Sequence, residues 1–499
     1  MTDLQPGRTL GPAKQALALF LIVIGYLFLG TLYAILTPSW QNPDEPAHYN
    51  YIGHLVETGR LPVLKPGDYD QDLLEALLAE DFPKDAPLTR LVYQSHQPPL
   101  YYLLTAPVHA ASGGSLIVMR LATVFLGLGI VLIAYAVAQR LYPGEPLVAL
   151  GTAAFVAFLP QHNAMMAAVN NDALAGLLAA TLLLLSLHLV QAPRLSARFL
   201  LLCGVVLGLG LITKATVYPI AWVLLFAMVW RWRRQRKPRP SSLLRPILLV
   251  IVPALLIAVP WWLRNAVVYG WPDLLGLIRH SEVVIGQPRT TDWIVEHGLA
   301  AWLVRGSQFT FQSFWGQFGW MAAVMDFRIY FALGLATILA ALGCLLPSPG
   351  RIGPADYDAV PLVLLTLQLL LVVAAYIAFN ATFVQHQGRY LFAAVIPLAF
   401  MFAAGWHALL HSAWLRAVSA ALTFTAALMV LVRATLLDVS HWYPLITVIY
   451  ALLLLMAGHA RVKSRNSFFL AVFVGLFTVN LHAIFQRILP LLAHSAEAT

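Results

Sequence analysis

Long apolar runs separated by short polar segments dominate this chain. A membrane-spanning helix needs about 20 apolar residues, and thirteen runs approach that length. They cover residues 16–37, 115–138, 147–163, 173–190, 198–213, 216–231, 246–263, 329–347, 360–379, 391–411, 416–435, 443–459 and 467–486. The stretch 198–231 is too long for one crossing, so we divide it at Thr213 and Lys214. The pattern predicts an all-α bundle of about 13 transmembrane helices.

Composition supports a polytopic membrane protein, because 60% of the 499 residues are hydrophobic and only 11% are charged. The net charge of +9 does not indicate nucleic-acid binding. Its basic residues lie in short loops between apolar runs, and no basic stripe with interleaved aromatic residues is present. The two cysteines, Cys203 and Cys344, both lie in apolar runs, so the sequence predicts no disulfide framework.

The distribution of charge predicts the orientation of the helices. With a cytoplasmic N-terminus, 17 of the 31 Lys and Arg residues but only 4 of the 22 Asp and Glu residues fall in cytoplasmic segments. This bias is expected for a multi-pass protein of the plasma (inner) membrane. We therefore predict a single domain over residues 1–499, with long external loops at residues 38–114 and 264–328 that carry short amphipathic helices.

Two adjacent carboxylates, Asp44 and Glu45, directly follow the first apolar run. Acidic side chains beside a membrane are costly and are functional candidates by default. Partial burial would raise the pKa of a carboxyl toward the range of a general base, and a helix beginning at Pro43 would place His48 on the same face as Asp44. Alternatively, Asn42, Pro43 and Glu45 fit the start of a capped helix. We favour catalysis for Asp44 and leave both roles open for Glu45.

A second polar cluster, residues 93–102, ends the first loop. His96 and Gln97 precede two prolines that impose an extended entry into a helix, so we expect both side chains to face the site. The start of that helix offers free amide groups that attract anions. Tyr101 and Tyr102 are expected in the aromatic belt at the membrane interface.

Further polar residues lie at the predicted external ends of later spans. They are Asp172, Lys214, Arg264, Gln387, Arg389 and Tyr390, and with His48, His96 and Gln97 they form the predicted substrate-binding set. The planar guanidinium of Arg389 suits a phosphate, and Gly388 lets the backbone approach a neighbour closely. Interfacial anchoring is the alternative for Arg389. Arg120 is expected to pair structurally with a loop acid.

The chain resembles the GT-C glycosyltransferases, in particular the protein O-mannosyltransferase and aminoarabinose-transferase group. The resemblance rests on the acidic pair after the first span, on residues 97–102 before the second, and on about thirteen spans. Later segments are similar to a less characterised prokaryotic branch of that superfamily, namely residues 170–172, 213–214, 264–270, 313–320 and 387–392. One departure is that the aminoarabinose-transferase pattern has a lysine before the two prolines, where this chain has His96 and Gln97.

This resemblance implies transfer of a sugar from a polyprenyl-phosphate-linked donor to an acceptor glycan, lipid or protein on the external face, with inversion at the anomeric carbon. It assigns the general base to Asp44, an acidic partner to Glu45 and a donor-phosphate contact to Arg389. The expected partners are this donor, the acceptor and membrane lipids, without nucleic acid. The sequence identifies no cofactor, and it leaves a divalent metal open because these acids and histidines are able to ligate one.

Two other classes of protein share parts of this pattern. A transporter or flippase of lipid-linked substrates also uses charges at membrane depth, but it usually has internal repeats and helices broken at the midplane. A non-catalytic membrane scaffold would use its loops only to bind partners. Because the charges concentrate at one face and no repeat is evident, we favour the transferase.

The orientation is testable by labelling single cysteines from outside the cell. A cysteine at Asp70, in the first predicted external loop, is expected to react with a membrane-impermeant reagent. One at Gln235, in a predicted cytoplasmic loop, is expected to stay unlabelled until the membrane is permeabilised. The opposite pattern would overturn the predicted topology.

Overall fold

The structure is a computed structural model, and it describes residues 11–83, 85–235, 239–346, 359–435 and 440–492. Within these ranges, helices form almost all of the regular structure. One antiparallel ribbon joins β1 (Gln317–Phe318) to β2 (Ala323–Val324), with Gln317 opposite Val324 and Phe318 opposite Ala323. Residues 236–238 and 347–358, whose charges contribute to the predicted orientation, lie outside the described residues.

Long helices form the bundle, and shorter helices lie within its loops. The first half contains α1 (Pro12–Leu36), α2 (Glu45–Thr58), α3 (Gln71–Ala79), α4 (Leu100–Ala111), α5 (Leu116–Leu141), α6 (Pro146–Phe158), α7 (Pro160–Met166), α8 (Asp172–Gln191), α9 (Ala197–Leu211), α10 (Ile220–Arg233) and α11 (Pro240–Tyr269). The second half contains α12 (Leu277–Val283), α13 (Thr290–His297), α14 (Leu299–Trp315), α15 (Phe327–Leu345), α16 (Val360–Asn380), α17 (Val395–His411), α18 (Leu415–Thr435), α19 (Trp442–His459), α20 (Val462–Ala483) and α21 (Leu489–Leu492). Turns of 3-10 helix lie at Leu88–Arg90, Ala215–Val217 and Gly388–Ala394, and a π-helical segment lies at Ile484–Ile488.

Eleven of the described helical segments are long and apolar enough to cross a membrane. Two shorter apolar helices, α6 and α9, match the remaining predicted runs, so the all-α bundle is confirmed and the count of 13 is approximate. The run 147–163 divides into α6 and α7, because Pro160 has no N–H with which to continue the first helix. The division at Thr213 and Lys214 is also present, since α9 ends before these residues and α10 begins after them.

Both predicted loops fold onto one end of the bundle, which we call the loop face and define by residues 38–114 and 264–328. The first loop contains α2, α3 and α4, and the second contains α12, α13 and α14. These helices confirm the predicted short helices. The first loop also has a small apolar core of its own, formed by Ala47, Leu74, Leu77, Phe82, Leu91 and Tyr93. This core gives the loop a defined shape over the bundle.

Glycines bring α15 and α17 into direct backbone contact. A Cβ placed on Gly343 would lie 1.9 Å from the carbonyl oxygen of Gly405, and one on Gly405 would lie 2.0 Å from the carbonyl oxygen of Ala340. No side chain fits at either position without moving the helices apart. Small residues are a common means of close helix packing in membranes, where dispersion contacts replace the hydrophobic effect between helices.

A buried ion pair attaches the first loop to the transmembrane helices. Glu45 and Arg120 are 0% and 1% exposed. Arg120 Nε and Nη2 donate to the two Glu45 carboxylate oxygens at 2.8 and 2.5 Å, and Nη1 donates to the carbonyl oxygen of Thr37 at 2.6 Å. The amide of Val169 also donates to Glu45 Oε1 at 3.1 Å. The expectation that Arg120 pairs with a loop carboxylate is therefore confirmed.

The predicted helix cap at Asn42 and Pro43 is wrong. The helix α2 begins at Glu45, and Asp44 precedes it with a left-handed backbone at φ 66°. That conformation cannot belong to a right-handed helix. The side chain of Glu45 is bound to Arg120 rather than to the backbone of the helix start, so the capping box does not form.

The ion pair predicts the effect of changing Glu45. Replacing Glu45 by Gln leaves the Arg120 guanidinium buried without its counter-charge, and we expect a loss of about 3–5 kcal/mol of stability. The double variant Glu45→Gln with Arg120→Met removes both charges and is expected to recover part of that loss. Thermal unfolding of the purified proteins in detergent measures both effects. Unchanged stability in Glu45→Gln would contradict a structural role for the pair.

Candidate active site

A cavity of about 490 Å³ opens at the loop face, between the two loops and the ends of α9, α10 and α16. Eight of the residues predicted from the sequence line it: Asp44, His48, His96, Gln97, Lys214, Gln387, Arg389 and Tyr390. They come from four separate parts of the chain. The predicted cluster thus forms one chamber, with the side chain of Asp44 at its wall.

Asp44 points into this cavity while its neighbour Glu45 points into the bundle. Its Oδ2 accepts a hydrogen bond from Arg389 Nη2 at 2.6 Å, and its Oδ1 accepts one from the Tyr93 hydroxyl at 3.0 Å. Burial alone would raise the pKa of the carboxyl, but the charge of Arg389 and these two hydrogen bonds outweigh burial and lower the pKa to about 2. The expected rise in pKa is therefore wrong, because the sequence did not reveal Arg389 as a direct partner.

Arg389 is held in place by the close approach that its neighbouring glycine allows. A Cβ on Gly388 would lie 2.4 Å from the backbone nitrogen of Phe314 and 2.5 Å from the carbonyl oxygen of Thr310. The amide of Gly388 donates to the Ser313 hydroxyl at 2.7 Å. The guanidinium of Arg389 also lies 5.3 Å from the ring centre of Tyr390. Backbone packing against α14 thus fixes the position of the cation opposite Asp44.

A second ion pair lies beside the first. Lys214 Nζ donates to Asp172 Oδ1 at 2.6 Å. Lys214 occupies the break between α9 and α10, and Asp172 begins α8, where the Asn170 side chain accepts the hydrogen bond of its amide at 2.9 Å. Lys214 lines the cavity, whereas Asp172 supports it from behind. The cavity therefore has two cations, and each is matched by one carboxylate.

Three histidines border the cavity in neutral form. The His48 ring nitrogen Nδ1 lies 2.8 Å from the Tyr102 hydroxyl, and burial followed by the charge of Lys214 lowers the pKa of His48 to about 3. The rings of His96 and His280 lie 4.4 Å apart. Burial lowers the pKa of His96 well below its usual value and that of His280 to about 4. At neutral pH these rings are hydrogen-bonding groups rather than cations.

The two predicted glutamines belong to short amide networks. Gln97 Oε1 accepts a hydrogen bond from Asn171 Nδ2 at 3.1 Å, and its Nε2 donates to Gln94 Oε1 at 3.0 Å. Gln387 Nε2 donates to Gln385 Oε1 at 2.7 Å. Both side chains are thereby held at the wall of the cavity.

Three predicted site residues do not line the cavity, and one of them is Asp172, which pairs with Lys214. Glu45 is bound by Arg120 inside the bundle. Arg264 packs over the Trp261 ring at 4.9 Å and donates to Asn265 Oδ1 at 3.0 Å and to the carbonyl oxygen of Pro62. These contacts connect the end of α11 to the first loop, and they account for Arg264 without a substrate.

Tyr101 and Tyr102 were expected at the membrane interface, and this expectation is wrong. Both are fully buried at the start of α4. The Tyr102 ring stacks on Tyr51 at 3.6 Å, and its hydroxyl reaches His48. The predicted free amide at this helix start is also occupied, since Leu100 N donates to the Ile212 carbonyl oxygen at 3.0 Å. Two consecutive tyrosines occur both in protein cores and in interfacial belts, so the sequence could not distinguish these two locations.

The site contains residues that the prediction omitted, notably Tyr93, His280, Tyr69 and Trp320. Tyr93 begins the predicted polar cluster at residues 93–102, and this position was the available clue. His280 is a lone histidine in the second loop, with no neighbouring motif to distinguish it. Among the described residues, no three His, Cys, Asp or Glu side chains are grouped so that they could hold a metal ion.

An apolar groove of about 640 Å³ lies directly beside the cavity. It runs between α14, α15, α16 and α17, with Phe311, Phe314 and Leu398 among its walls. Tyr376 lines both the groove and the cavity, and its hydroxyl lies 2.5 Å from that of Thr310. A polar chamber with cations thus adjoins an apolar channel between membrane helices, an arrangement that suits a ligand with a charged head and an apolar tail.

Comparison in sequence gives a partial family match. Residues 96–262 match the family model described as dolichyl-phosphate-mannose-protein mannosyltransferase. This segment includes His96, Gln97, Asp172 and Lys214, whereas Asp44 and Arg389 lie outside it. No curated protein sequence matches the chain significantly.

Comparison in structure covers nearly the whole chain. ArnT from Cupriavidus metallidurans bound to undecaprenyl phosphate is 14% identical, with a TM-score of 0.52 over 95% of this chain and 78% of that chain. Its apo form is 15% identical, with a TM-score of 0.52 over 93% and 76%. A weaker match is the archaeal oligosaccharyltransferase AglB from Archaeoglobus fulgidus, in complex with an inhibitory peptide and a dolichol-phosphate. It is 12% identical and covers 91% of this chain and 56% of that chain, with a TM-score of 0.48. The chain therefore has the GT-C fold that ArnT represents, and the predicted resemblance to the GT-C glycosyltransferases is confirmed.

Proposed function

We propose that this protein transfers a sugar from a polyprenyl-phosphate-linked donor to an acceptor on the external face of the membrane, with inversion and with Asp44 as the general base. The observation that carries the proposal is the Asp44–Arg389 ion pair, at 2.6 Å in the wall of a cavity that adjoins an apolar groove. One site then holds a base, a phosphate-binding cation and an entry for a lipid. The surrounding protein is a plasma (inner) membrane bundle with a cytoplasmic N-terminus.

The groove beside Tyr376 is the proposed place of the polyprenyl chain. A donor lying there would bring its phosphate to the cavity end of the groove, toward Arg389 and Lys214. The comparison with ArnT supports a lipid-phosphate ligand, because ArnT has the same fold and was solved with undecaprenyl phosphate bound. In this proposal the phosphate displaces one carboxylate from its cation, either Asp44 from Arg389 or Asp172 from Lys214.

The proposed reaction is a single displacement. The acceptor oxygen attacks the anomeric carbon, the bond from that carbon to the phosphate oxygen breaks, and the polyprenyl phosphate leaves with the electron pair. Arg389 stabilises the charge that develops on the leaving phosphate. The acceptor proton passes to Asp44. Attack from the face opposite the leaving group inverts the configuration of the sugar.

Binding of the donor would also prepare the base. In the structure Arg389 keeps the pKa of Asp44 at about 2, too low for an effective base at neutral pH. A donor phosphate that draws the guanidinium away removes the largest charge that stabilises the carboxylate, so its proton affinity rises. Asp44 thereby becomes a stronger base only when a donor is bound. Without a donor, its low proton affinity keeps it from accepting a proton.

The remaining lining residues have proposed binding roles. His48, His96, Gln97, Gln387 and Tyr390 present neutral hydrogen-bonding groups to the cavity, as recognition of sugar hydroxyls requires. Their hydrogen bonds to other protein groups keep these side chains in place before a ligand arrives. The acceptor, whether a glycan, a lipid or a protein, would enter from the loop face. No step of the proposed reaction passes through a metal.

Asp44→Asn tests the proposed base. We expect turnover with a polyprenyl-phosphate sugar to fall by about 10² to 10⁴-fold, because the amide cannot accept the proton. Donor affinity is expected to persist or increase, since Arg389 loses the carboxylate that competes with the phosphate. Asp72→Asn, an identical change at an exposed position of the same loop, serves as the control and should leave both unchanged. Near-normal turnover in Asp44→Asn would falsify the proposed mechanism.

Arg389→Lys tests the phosphate contact. The lysine keeps the charge but not the planar fork, so we expect kcat/KM for the donor to fall at least about tenfold. The exposed change Arg90→Lys is the matched control and should have no effect. Binding of the donor lipid, measured separately from turnover, shows whether the loss lies in affinity or in chemistry. Full activity in Arg389→Ala would leave Arg389 without the proposed role.

A further inference from the structure

A second apolar groove, of about 470 Å³, lies between α15, α17, α19 and α20. It shares no lining residue with the active-site cavity, and only Phe402 lines both it and the groove beside that cavity. Its walls include Leu333, Trp406, Leu454 and Leu476. The groove therefore lies apart from the site proposed for sugar transfer.

Small side chains keep the groove open along the direction of the helices. Ala332 and Ala336 line it on α15, and Ala471 and Gly475 line it on α20. A Cβ placed on Gly475 meets no heavy atom within 4 Å, so space remains beside the helix at this point. In a bilayer, an apolar channel parallel to the helices takes a hydrocarbon chain, because water gains no hydrogen bond there.

Charged and aromatic side chains lie at one end of the groove. Arg328 lies in the first turn of α15 and lines the groove, and Trp442 begins α19 and lines it too. Arg328 Nη2 contacts Asp326 Oδ2 at 2.6 Å, and Arg487 Nη2 lies 3.7 Å from the same oxygen. The Arg328 guanidinium also lies 4.7 Å from the ring centre of Trp442. Among the described contacts, two guanidinium groups thus share one carboxylate, which leaves one positive charge in excess at this rim.

The side chains at this rim remain partly open to a ligand. The side chains of Arg328 and Arg487 are 42% and 29% exposed. An arginine at a membrane interface attracts a lipid phosphate through its positive charge, and an adjacent tryptophan is typical of the headgroup level.

We propose that this groove binds one anionic phospholipid of the bilayer, with an acyl chain between α15 and α20 and its phosphate at Arg328 and Arg487. The excess positive charge favours a lipid with net negative charge over a zwitterionic one. The bound lipid would fill the space between α15, α19 and α20 and so stabilise their packing. This site is independent of the proposed sugar transfer.

Three variants test the two ends of the site. Arg487→Gln removes one cation and leaves the closer pair of Arg328 with Asp326 intact, whereas Arg487→Lys retains the charge. Gly475→Trp fills the groove. Val474→Trp, on the exposed outer side of the same helix, is the control for the added indole. The wild type and the four variants are purified and reconstituted in nanodiscs that contain phosphatidylglycerol and phosphatidylethanolamine, and retained lipid is counted by native mass spectrometry.

Wild type, Arg487→Lys and Val474→Trp are expected to retain one phosphatidylglycerol in preference to phosphatidylethanolamine. Arg487→Gln is expected to retain about fivefold less, which corresponds to about 1 kcal/mol for one interfacial cation, and Gly475→Trp is expected to retain none at this site. Thermal unfolding confirms that each variant is folded. Equal retention by all proteins, a retained polyprenyl phosphate in place of phosphatidylglycerol, or a dimer that Gly475→Trp dissociates would each overturn the proposal.

Discussion

The buried ion pair between Glu45 and Arg120 is the constraint on which the active-site geometry depends. It attaches the start of α2 to α5, and it fixes the direction of the residue that precedes it. Because Asp44 has a left-handed backbone, its carboxylate turns away from that of Glu45 and into the cavity. Two neighbouring acids therefore have opposite environments. The fully buried one holds the loop, and the partly exposed one remains accessible to a ligand. Removing both charges from water is costly. The guanidinium of Arg120 offsets part of that cost, because it also donates hydrogen bonds to carbonyl oxygens at the end of α1.

Charge balance determines what the cavity can accept. Asp44 with Arg389 and Asp172 with Lys214 give two anions and two cations, so the resting site is close to neutral. In the proposed function, an anionic phosphate would therefore bind by exchanging partners rather than by filling an unpaired positive site. The exchange weakens net affinity, because each cation gives up a hydrogen-bonded carboxylate. In return, the proposed base loses its stabilising charge at the moment when a donor is in place. Donor binding and base strength are then two aspects of one electrostatic rearrangement.

The sequence predicted the helical bundle and most of the site because both leave local signals. Apolar runs of 16 to 24 residues identify the spans, and polar residues at their ends identified Asp44, Lys214 and Arg389 as candidates. What it could not predict depends on contacts between distant segments. Arg389 follows Asp44 by 345 positions, so neither their hydrogen bond nor the low pKa of Asp44 has a local signature. The same limit applies to Glu45. The sequence predicted a structural ion pair for Arg120, but it did not identify Glu45 as the carboxylate of that pair.

The packing of α6 within the bundle favours the proposed transfer over passage of a substrate across the membrane. The helix α6 contacts α1, α5, α17 and α20, and every one of its residues is buried. Thr152 is its single polar side chain, and the hydroxyl of Thr152 donates to the carbonyl oxygen of Val148 within the same helix. A transporter needs a binding site that opens alternately to both sides, usually at broken helices near the midplane. Here the paired charges gather around a cavity at the loop face, and α6 is apolar apart from Thr152 and buried along its whole length. Close packing around α6 fits the proposed transferase, which needs one site at the ends of the helices and no passage between them.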